Sequence, residues 1–152
     1  MLKKIYLAES VHGKGVFTVQ DMSKGECIVK FKGEILSKRD EDRPDHYLQI
    51  GLSKFLGPSG EIDDFVNHSC DPNSGLKNNT KLYAIKNIKS GEEITFDYST
   101  ATSQDTWKMI CLCGSKQCRI TIGNFEALSQ EIKEKYLREK VVPKWVKENI
   151  KP

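Results

Sequence analysis

Residues Phe65–Asn73 read FVNHSCDPN, an apolar pair followed by two asparagines, a histidine, a serine, a cysteine, an aspartate and a proline. So many hydrogen-bonding side chains in one place fit either a turn or the floor of a site, and the rest of the chain has to decide. A second stretch, GEEITFDYS at Gly91–Ser99, alternates so that Ile94, Phe96 and Tyr98 share one face of a strand and Thr95 and Asp97 the other. Alone, that pattern is a core strand whose tyrosine reaches a backbone partner. The glycines of HGKGVF, His12–Phe17, are alone no more than a turn.

Working outward, 152 residues with 38% hydrophobic and 30% charged content suit one soluble domain with one core. No run approaches the roughly 20 apolar residues that span a bilayer, and MLKKIYLAES has too short an apolar part for a secretory signal, so an intracellular location is expected, cytoplasmic, or nuclear if the host is eukaryotic. The formal charge is +3, with lysines and arginines interleaved with acids, which disfavours direct nucleic-acid binding.

GVFTVQDMSKGECIVKFKGEIL, Gly15–Leu36, reads as strand, turn, strand, with Cys27, Val29 and Phe31 on one face and Cys27 therefore a core thiol. YAIKNIKSGEEITFDYS repeats the pattern, IKSGEEI answering MSKGECI, which signals the same turn chemistry used twice in a β-rich body. Between them SKRDEDRPDHY is a charged loop, followed by short strands and loops and a helical turn at Asp63–Asn67. After Gly123 the character changes. Leu128, Ile132 and Tyr136 or Leu137 fall at helical spacing, Asn124 is a candidate cap and Pro143 interrupts, so one or two terminal helices are expected.

Five cysteines in an intracellular chain favour metal or reactive thiols over disulfides. Cys111, Cys113 and Cys118 form C-x-C-x4-C, in which residues i and i+2 of an extended segment point the same way and Gly114 lets Cys118 return. A closed tetrahedral site needs a fourth thiolate. Cys27 lies on an apolar strand face and Cys70 in a polar turn, which assigns Cys70 as that ligand. Four thiolates leave no open position for water, so the ion, a zinc, is structural. The competing reading is three free or disulfide-prone thiols.

Taken in order, HGKGVF, the tyrosine of DHYLQI, FVNHSCDPN, GEEITFDYS and CLCGSKQCRI resemble the SET-domain protein lysine methyltransferases with a post-SET zinc segment, over Ser10–Gly123. The resemblance implies a mainly β (β-rich α+β) fold of small curved sheets, in which the Asn-His-Ser-Cys segment and the tyrosine strand form a pseudoknot. It divides the chain into a SET domain at 1–106, a post-SET zinc segment at 107–123 and a C-terminal helical extension at 124–152. It also implies S-adenosylmethionine as cofactor, bordered by Gly13, Lys14, Gly15, Asn67, His68, Tyr47 and Leu112, with one structural zinc. Tyr98 and Tyr47 match the catalytic tyrosines, and Phe96 joins them in the substrate channel, where it removes a hydroxyl and suggests di- or trimethylation. Leu112 and Trp107 resemble residues that close over the site.

The chemistry makes sense beside the resemblance. A lysine amine is a nucleophile only when neutral, and both a nearby sulfonium and partial burial lower its pKa. A narrow aromatic tube supplies in-line alignment and tolerates a cation, so no strong base is needed. The expected partner is a protein carrying a target lysine, a histone or chromatin-like protein among the candidates. No membrane partner is expected, and monomer or dimer is left open. The alternatives are a catalytically silent SET-like module that binds a lysine-containing partner, and a purely zinc-held structural protein. Three departures from the family stand out: no cysteine-rich pre-SET cluster, a short piece between Leu36 and Phe65, and Ile120 where the family often has glycine.

Overall fold

Strands of two to six residues offer short edges to pair, and the described residues form four small sheets. A computed structural model of the chain describes residues 3–40, 42 and 46–150; Glu41, Arg43, Pro44 and Asp45 of the charged loop lie outside the described residues. The strands are β1 (Ile5–Ser10), β2 (Gly13–Thr18), β3 (Cys27–Lys30), β4 (Ile35–Leu36), β5 (Leu48–Gly51), β6 (Lys54–Leu56), β7 (Asn67–His68), β8 (Ser74–Lys77), β9 (Lys81–Ala84), β10 (Glu93–Phe96), β11 (Met109–Ile110) and β12 (Thr121–Ile122). Two helices follow, α1 (Gln130–Arg138) and α2 (Lys144–Asn149). The sheets run β1-β2-β10-β7, β3-β9-β8, β4-β6-β5 and β11-β12. The mainly β expectation holds.

The two echoing turns are not hairpins. β2 pairs with β1 and β10, whereas β3 leaves for another sheet and pairs with β9. What the echo does is bring the turns together: Met22 and Ile88, both buried, exchange backbone hydrogen bonds of 2.8 and 2.9 Å. Cys27 corrects the core-thiol expectation. An irregularity in register between Cys27 and Val29 breaks the two-residue period, so Cys27 is exposed and Ile28 turns inward beside Phe31.

β10 is the centre of the molecule. Ile94 packs in the main core with Val16, Leu76, Leu82 and Ile88. On its other edge β10 runs parallel to β7, pairing Thr95 with Asn67 and Phe96 with His68, a contact the antiparallel neighbours cannot make. Asn73 and Ser74 then tie the returning chain to β10: Asn73 Nδ2 donates to the Glu93 carbonyl, its Oδ1 accepts from Thr95 N–H, and Ser74 Oγ donates to the Thr95 carbonyl. The expected helical turn is a single 3₁₀ turn at Ile62–Phe65.

The C-terminal helices have their own apolar cluster, Phe125, Leu128, Tyr136, Val141, Trp145 and Val146, resting on Ile85. Leu128 precedes the helix. Ser129 caps α1 by accepting from Ile132 N–H, while Asn124 caps a short 3₁₀ turn at Phe125–Ala127. Val141 lies so close to Gly75 of β8 that a Cβ there would come within 2.5 Å of the Val141 side chain, so this glycine is what lets the tail dock. Of the two tyrosine and leucine candidates, Tyr136 faces inward and Leu137 outward. The buried Tyr136 hydroxyl donates to Asp97 Oδ2 at 2.8 Å. Tyr136→Phe should therefore cost about 1.5–3 kcal/mol, as expected for a hydrogen bond to a charged group. Urea denaturation should show a lower midpoint with an unchanged slope.

Candidate active site

Tyr98 sits where β10 ends. The strand stops at Phe96, and Asp97 starts a 3₁₀ turn, Tyr98–Ala101, by accepting from Ser99 N–H, so Tyr98 leaves the regular alternation expected of it. Its ring stays beside Phe96, 4.9 Å between centroids, and beside His68 at 5.3 Å and Trp107 at 6.4 Å. Its hydroxyl donates to the Val66 carbonyl at 2.8 Å. Phe96 in turn meets Phe31 edge-on at 5.8 Å. These rings line a cleft of about 570 Å³ that also takes in Lys14, Tyr47, Asn67, His68 and Leu112. Of the expected cofactor and channel residues, Lys14, Tyr47, Asn67, His68, Phe96, Tyr98 and Leu112 line this cleft, Leu112 at the rim and largely exposed, whereas Gly13 and Gly15 flank Lys14 without lining it.

Asn67 links two walls of that cleft. Its amide donates to the Lys14 carbonyl at 3.0 Å and to Glu93 Oε1 at 2.8 Å, and Glu93 also accepts from Ser10 Oγ. A Cβ at Gly15 would fall 2.3 Å from that Glu93 carboxylate oxygen, so a side chain there would have to turn the end of Glu93 away from Asn67 and Ser10. Gly13 is glycine for another reason, its φ of +91°.

His68 is a structural hinge. Its Nδ1 accepts from Tyr98 N–H at 3.1 Å, which leaves the proton on Nε2, and Nε2 lies 3.3 Å from Cys70 Sγ. Burial pushes its pKa down to about 4, outweighing the pull of Asp97, so the ring is neutral at ordinary pH.

Sequence reading missed the carboxylate that holds these parts. Asp97, buried, accepts two hydrogen bonds of 2.8 Å from the Arg119 guanidinium, one from Tyr136 and one from Ser99 N–H. Burial works against the Arg119 charge, but the bonds to Asp97 outweigh it and raise the guanidinium above its ordinary value. Burial and the Asp97 charge likewise push the Tyr136 phenol up, keeping it a donor. An acid between two aromatics of an apolar strand was the available signal. A second missed contact joins the loop after β4 to the tail: Arg39 lies over the Phe55 ring and pairs with Asp105 at 2.5 Å, and Asp105 accepts from Trp107 N–H.

The sulfur atoms of Cys70, Cys111, Cys113 and Cys118 all lie within 4.8 Å of one another, and Cys70 and Cys111 are 3.8 Å apart. A tetrahedron with metal–sulfur bonds of about 2.3 Å has edges of about 3.8 Å, so the donor set fits zinc. Four thiolates this close cannot all be charged without a cation. Burial pushes Cys70 and Cys111 up, while Cys113, against its own burial, is drawn to about 6 by hydrogen bonds from Cys70, Ser115 and its neighbours. N–H donors complete the setting, from Arg119 to Cys70 Sγ at 3.4 Å and from His68 Nε2.

The family model described as SET domain matches residues 13–99, more than half of the chain. The chain belongs to the SET domain family. It is 30% identical over 128 residues to the histone-lysine N-methyltransferase trithorax of Drosophila virilis, covering 72% of this chain and 3% of that protein. To an H3 lysine-9 specific histone-lysine N-methyltransferase of Fusarium mangiferae it is 33% identical over 154 residues, covering 70% of this chain and 44% of that one. The chain therefore spans less than half the length of either relative. In fold it is similar to KRYPTONITE, solved in complex with mCHH DNA, an H3(1-15) peptide and SAH, with a TM-score of 0.62 and 20% identity over 81% of this chain and 30% of that one. No helix among the described residues is long and apolar enough to cross a membrane.

Ile120, exposed, takes a φ of +64°, a left-handed conformation that a β-branched residue adopts at a cost of about 1–2 kcal/mol. The loop thus follows a glycine-like path without glycine, held by a hydrogen bond from Cys111 N–H to the Ile120 carbonyl. Ile120→Gly should raise the stability of the zinc-loaded protein by roughly 1 kcal/mol after the added backbone entropy is offset, read by urea denaturation. Metal analysis of folded protein should return one zinc per chain. Removing it with a chelator should change the fluorescence of Trp107, which packs on the thiol cluster, in a Trp145→Phe background.

Proposed function

We propose that this chain is an S-adenosylmethionine-dependent protein-lysine N-methyltransferase. The observation that carries the reading is the meeting of Tyr98, Tyr47, Phe96 and Trp107 in one cleft whose other wall is built from Lys14, Asn67 and His68, in a chain of the SET domain family. The named activities of the trithorax and Fusarium relatives and the SAH of the KRYPTONITE complex support it. Residues 1–106 act as the SET domain, 107–123 as the post-SET segment and 124–152 as a helical extension that braces Asp97.

Bound S-adenosylmethionine would supply an electrophilic methyl on a sulfonium. Gly13, Lys14, Gly15, Asn67, His68 and Tyr47 would border it, largely through backbone and amide groups, and Leu112 would close over it. The aromatic walls Tyr98, Tyr47 and Phe96 take the target lysine, excluding water and fixing its approach. Their ring faces tolerate the ammonium before and after reaction, while partial burial favours the neutral nucleophile. Tyr98 and Tyr47 are the catalytic residues: their hydroxyls orient the amine and the methyl group. Phe96 contributes no hydroxyl, which leaves room for a second or third methyl.

A cysteine cluster closed by four thiols gives zinc a structural part. It clamps the segment that carries Trp107 and Leu112 against the wall that carries His68. The substrate is a protein lysine, with a histone or chromatin-like protein favoured by the relatives' names, and a nuclear location follows if the host is eukaryotic.

Tyr98→Phe keeps the ring contacts and removes the hydroxyl. Transfer of labelled methyl groups to whole-cell protein or histones should fall by 100-fold or more, with the thermal midpoint within a few degrees of the parent. Cofactor binding by the parent without transfer to any protein pool would instead identify a silent module.

A further inference from the structure

The sheet β3-β9-β8 gathers lysines that lie far apart in the chain. In register, Lys30 of β3 stands opposite Lys81 of β9, and Lys81 stands opposite Lys77 of β8. Directly opposed residues of antiparallel strands project from the same face, so the three ammonium groups form one row about 10 Å wide. Lys30 and Lys81 are exposed, and Lys77 holds its Nζ 5.0 Å from the centre of the Tyr83 ring, which aims it without neutralising it. No carboxylate among the described residues pairs with any of the three, although Lys32, Lys86 and Lys89 each have one.

Like charges placed directly opposite one another weaken a sheet. The sequence around them offers no relief: Pro72–Ser90 carries four lysines and no acid, and Cys27–Gly33 carries two lysines and no acid. The row also has a direction. Lys32, two residues beyond Lys30, lines the rim of the catalytic cleft and is paired with Glu61, so the unpaired row begins next to the cleft edge and runs across the sheet.

We propose that this row binds the phosphate backbone of a nucleic acid, on a face separate from the cleft. Point charges one strand spacing apart, at the end of this face beyond the part that Val141 covers at Gly75, suit a polyanion with regularly spaced phosphates. A lipid surface would ask for exposed apolar side chains beside the lysines, and a protein partner for apolar or aromatic anchors. The exposed large hydrophobics, Tyr6, Leu7, Ile35, Ile110 and Ile120 among them, all lie on other elements. Interleaving of charge along the sequence hides this surface; the strand register creates it. A substrate protein seated on the same nucleic acid would then be held at the rim of the cleft.

The test is fluorescence anisotropy with a labelled 20-base-pair DNA duplex across 50–200 mM KCl. Three lysines predict a log–log salt slope of about −2.7 and micromolar affinity at the low end. The variant Lys30→Gln, Lys77→Gln, Lys81→Gln should bind at least tenfold more weakly, with most of that slope lost, and should melt no lower than the parent. Lys81→Gln alone, removing the middle of the row, should weaken binding several-fold and serves if the triple variant fails to fold. A control of equal charge, Lys3→Gln, Lys116→Gln, Lys147→Gln, should bind within twofold of the parent. Equal loss in the control, no loss in the row variants, or tighter binding to phosphatidylserine vesicles or polyglutamate than to the duplex would overturn the proposal. Binding is read without cofactor or turnover, so it stands or falls apart from methyl transfer.

Discussion

A buried carboxylate without partners would be expelled or neutralised, and Asp97 is kept by being surrounded. Two guanidinium hydrogen bonds, a phenol and a backbone amide converge on it, with the neutral His68 ring 3.6 Å away. The parts that meet there come from across the chain: the donors Arg119, from the segment after the last zinc-type cysteine, and Tyr136, from α1, with the neighbouring His68, whose Nε2 faces Cys70, from β7. Removing either donor leaves an under-compensated charge, so these pieces of sequence are obliged to fold together with β10. The residue on which they converge directly precedes Tyr98, and the aromatic side of the cleft inherits its rigidity from there.

The thiol cluster and the carboxylate are held by the same two residues. Arg119 gives its backbone N–H to Cys70 and its side chain to Asp97, and His68 stands between Tyr98 N–H and the Cys70 sulfur. A dication among four thiolates and a guanidinium on a carboxylate alternate in sign over a short distance, which makes each less costly to bury. The metal site therefore does more than staple a loose tail. It sets where Arg119 starts, and so where Asp97 and the turn carrying Tyr98 can lie.

What the sequence disclosed follows from the range of the forces. Cys70 could be separated from Cys27 because a polar turn and an apolar strand are local properties, and the four sulfurs do meet. Yet the same local reasoning misplaced Cys27, since a change of register is decided by the partner strand β9 and not by the period of two. The position of Tyr98 in the cleft was legible from its motif, but its exit from the strand depends on Asp97 capping the next turn. Asp97 itself read as the polar side of a strand, because its partners are 22 and 39 residues away. The lysine row was invisible for the same reason: neighbours across a sheet are strangers along a chain.

The two joints that frame the cleft are both charge-assisted and largely withdrawn from water. Asp97 is buried with charge-assisted bonds, each worth about 1.5–3 kcal/mol net. The side chains of Arg39 and Asp105, which connect the loop after β4 to the backbone of Trp107, are 24% and 17% exposed, close to the 18% of Arg119, so salt screens this pair less than an open surface pair. The joints differ in redundancy. Asp97 accepts from Arg119, Tyr136 and Ser99 N–H, whereas Asp105 accepts from Arg39 and from Trp107 N–H two residues away. Loss of one donor therefore leaves Asp97 still tied to another part of the chain, while loss of Arg39 leaves the Asp105 carboxylate with a local bond that joins nothing distant.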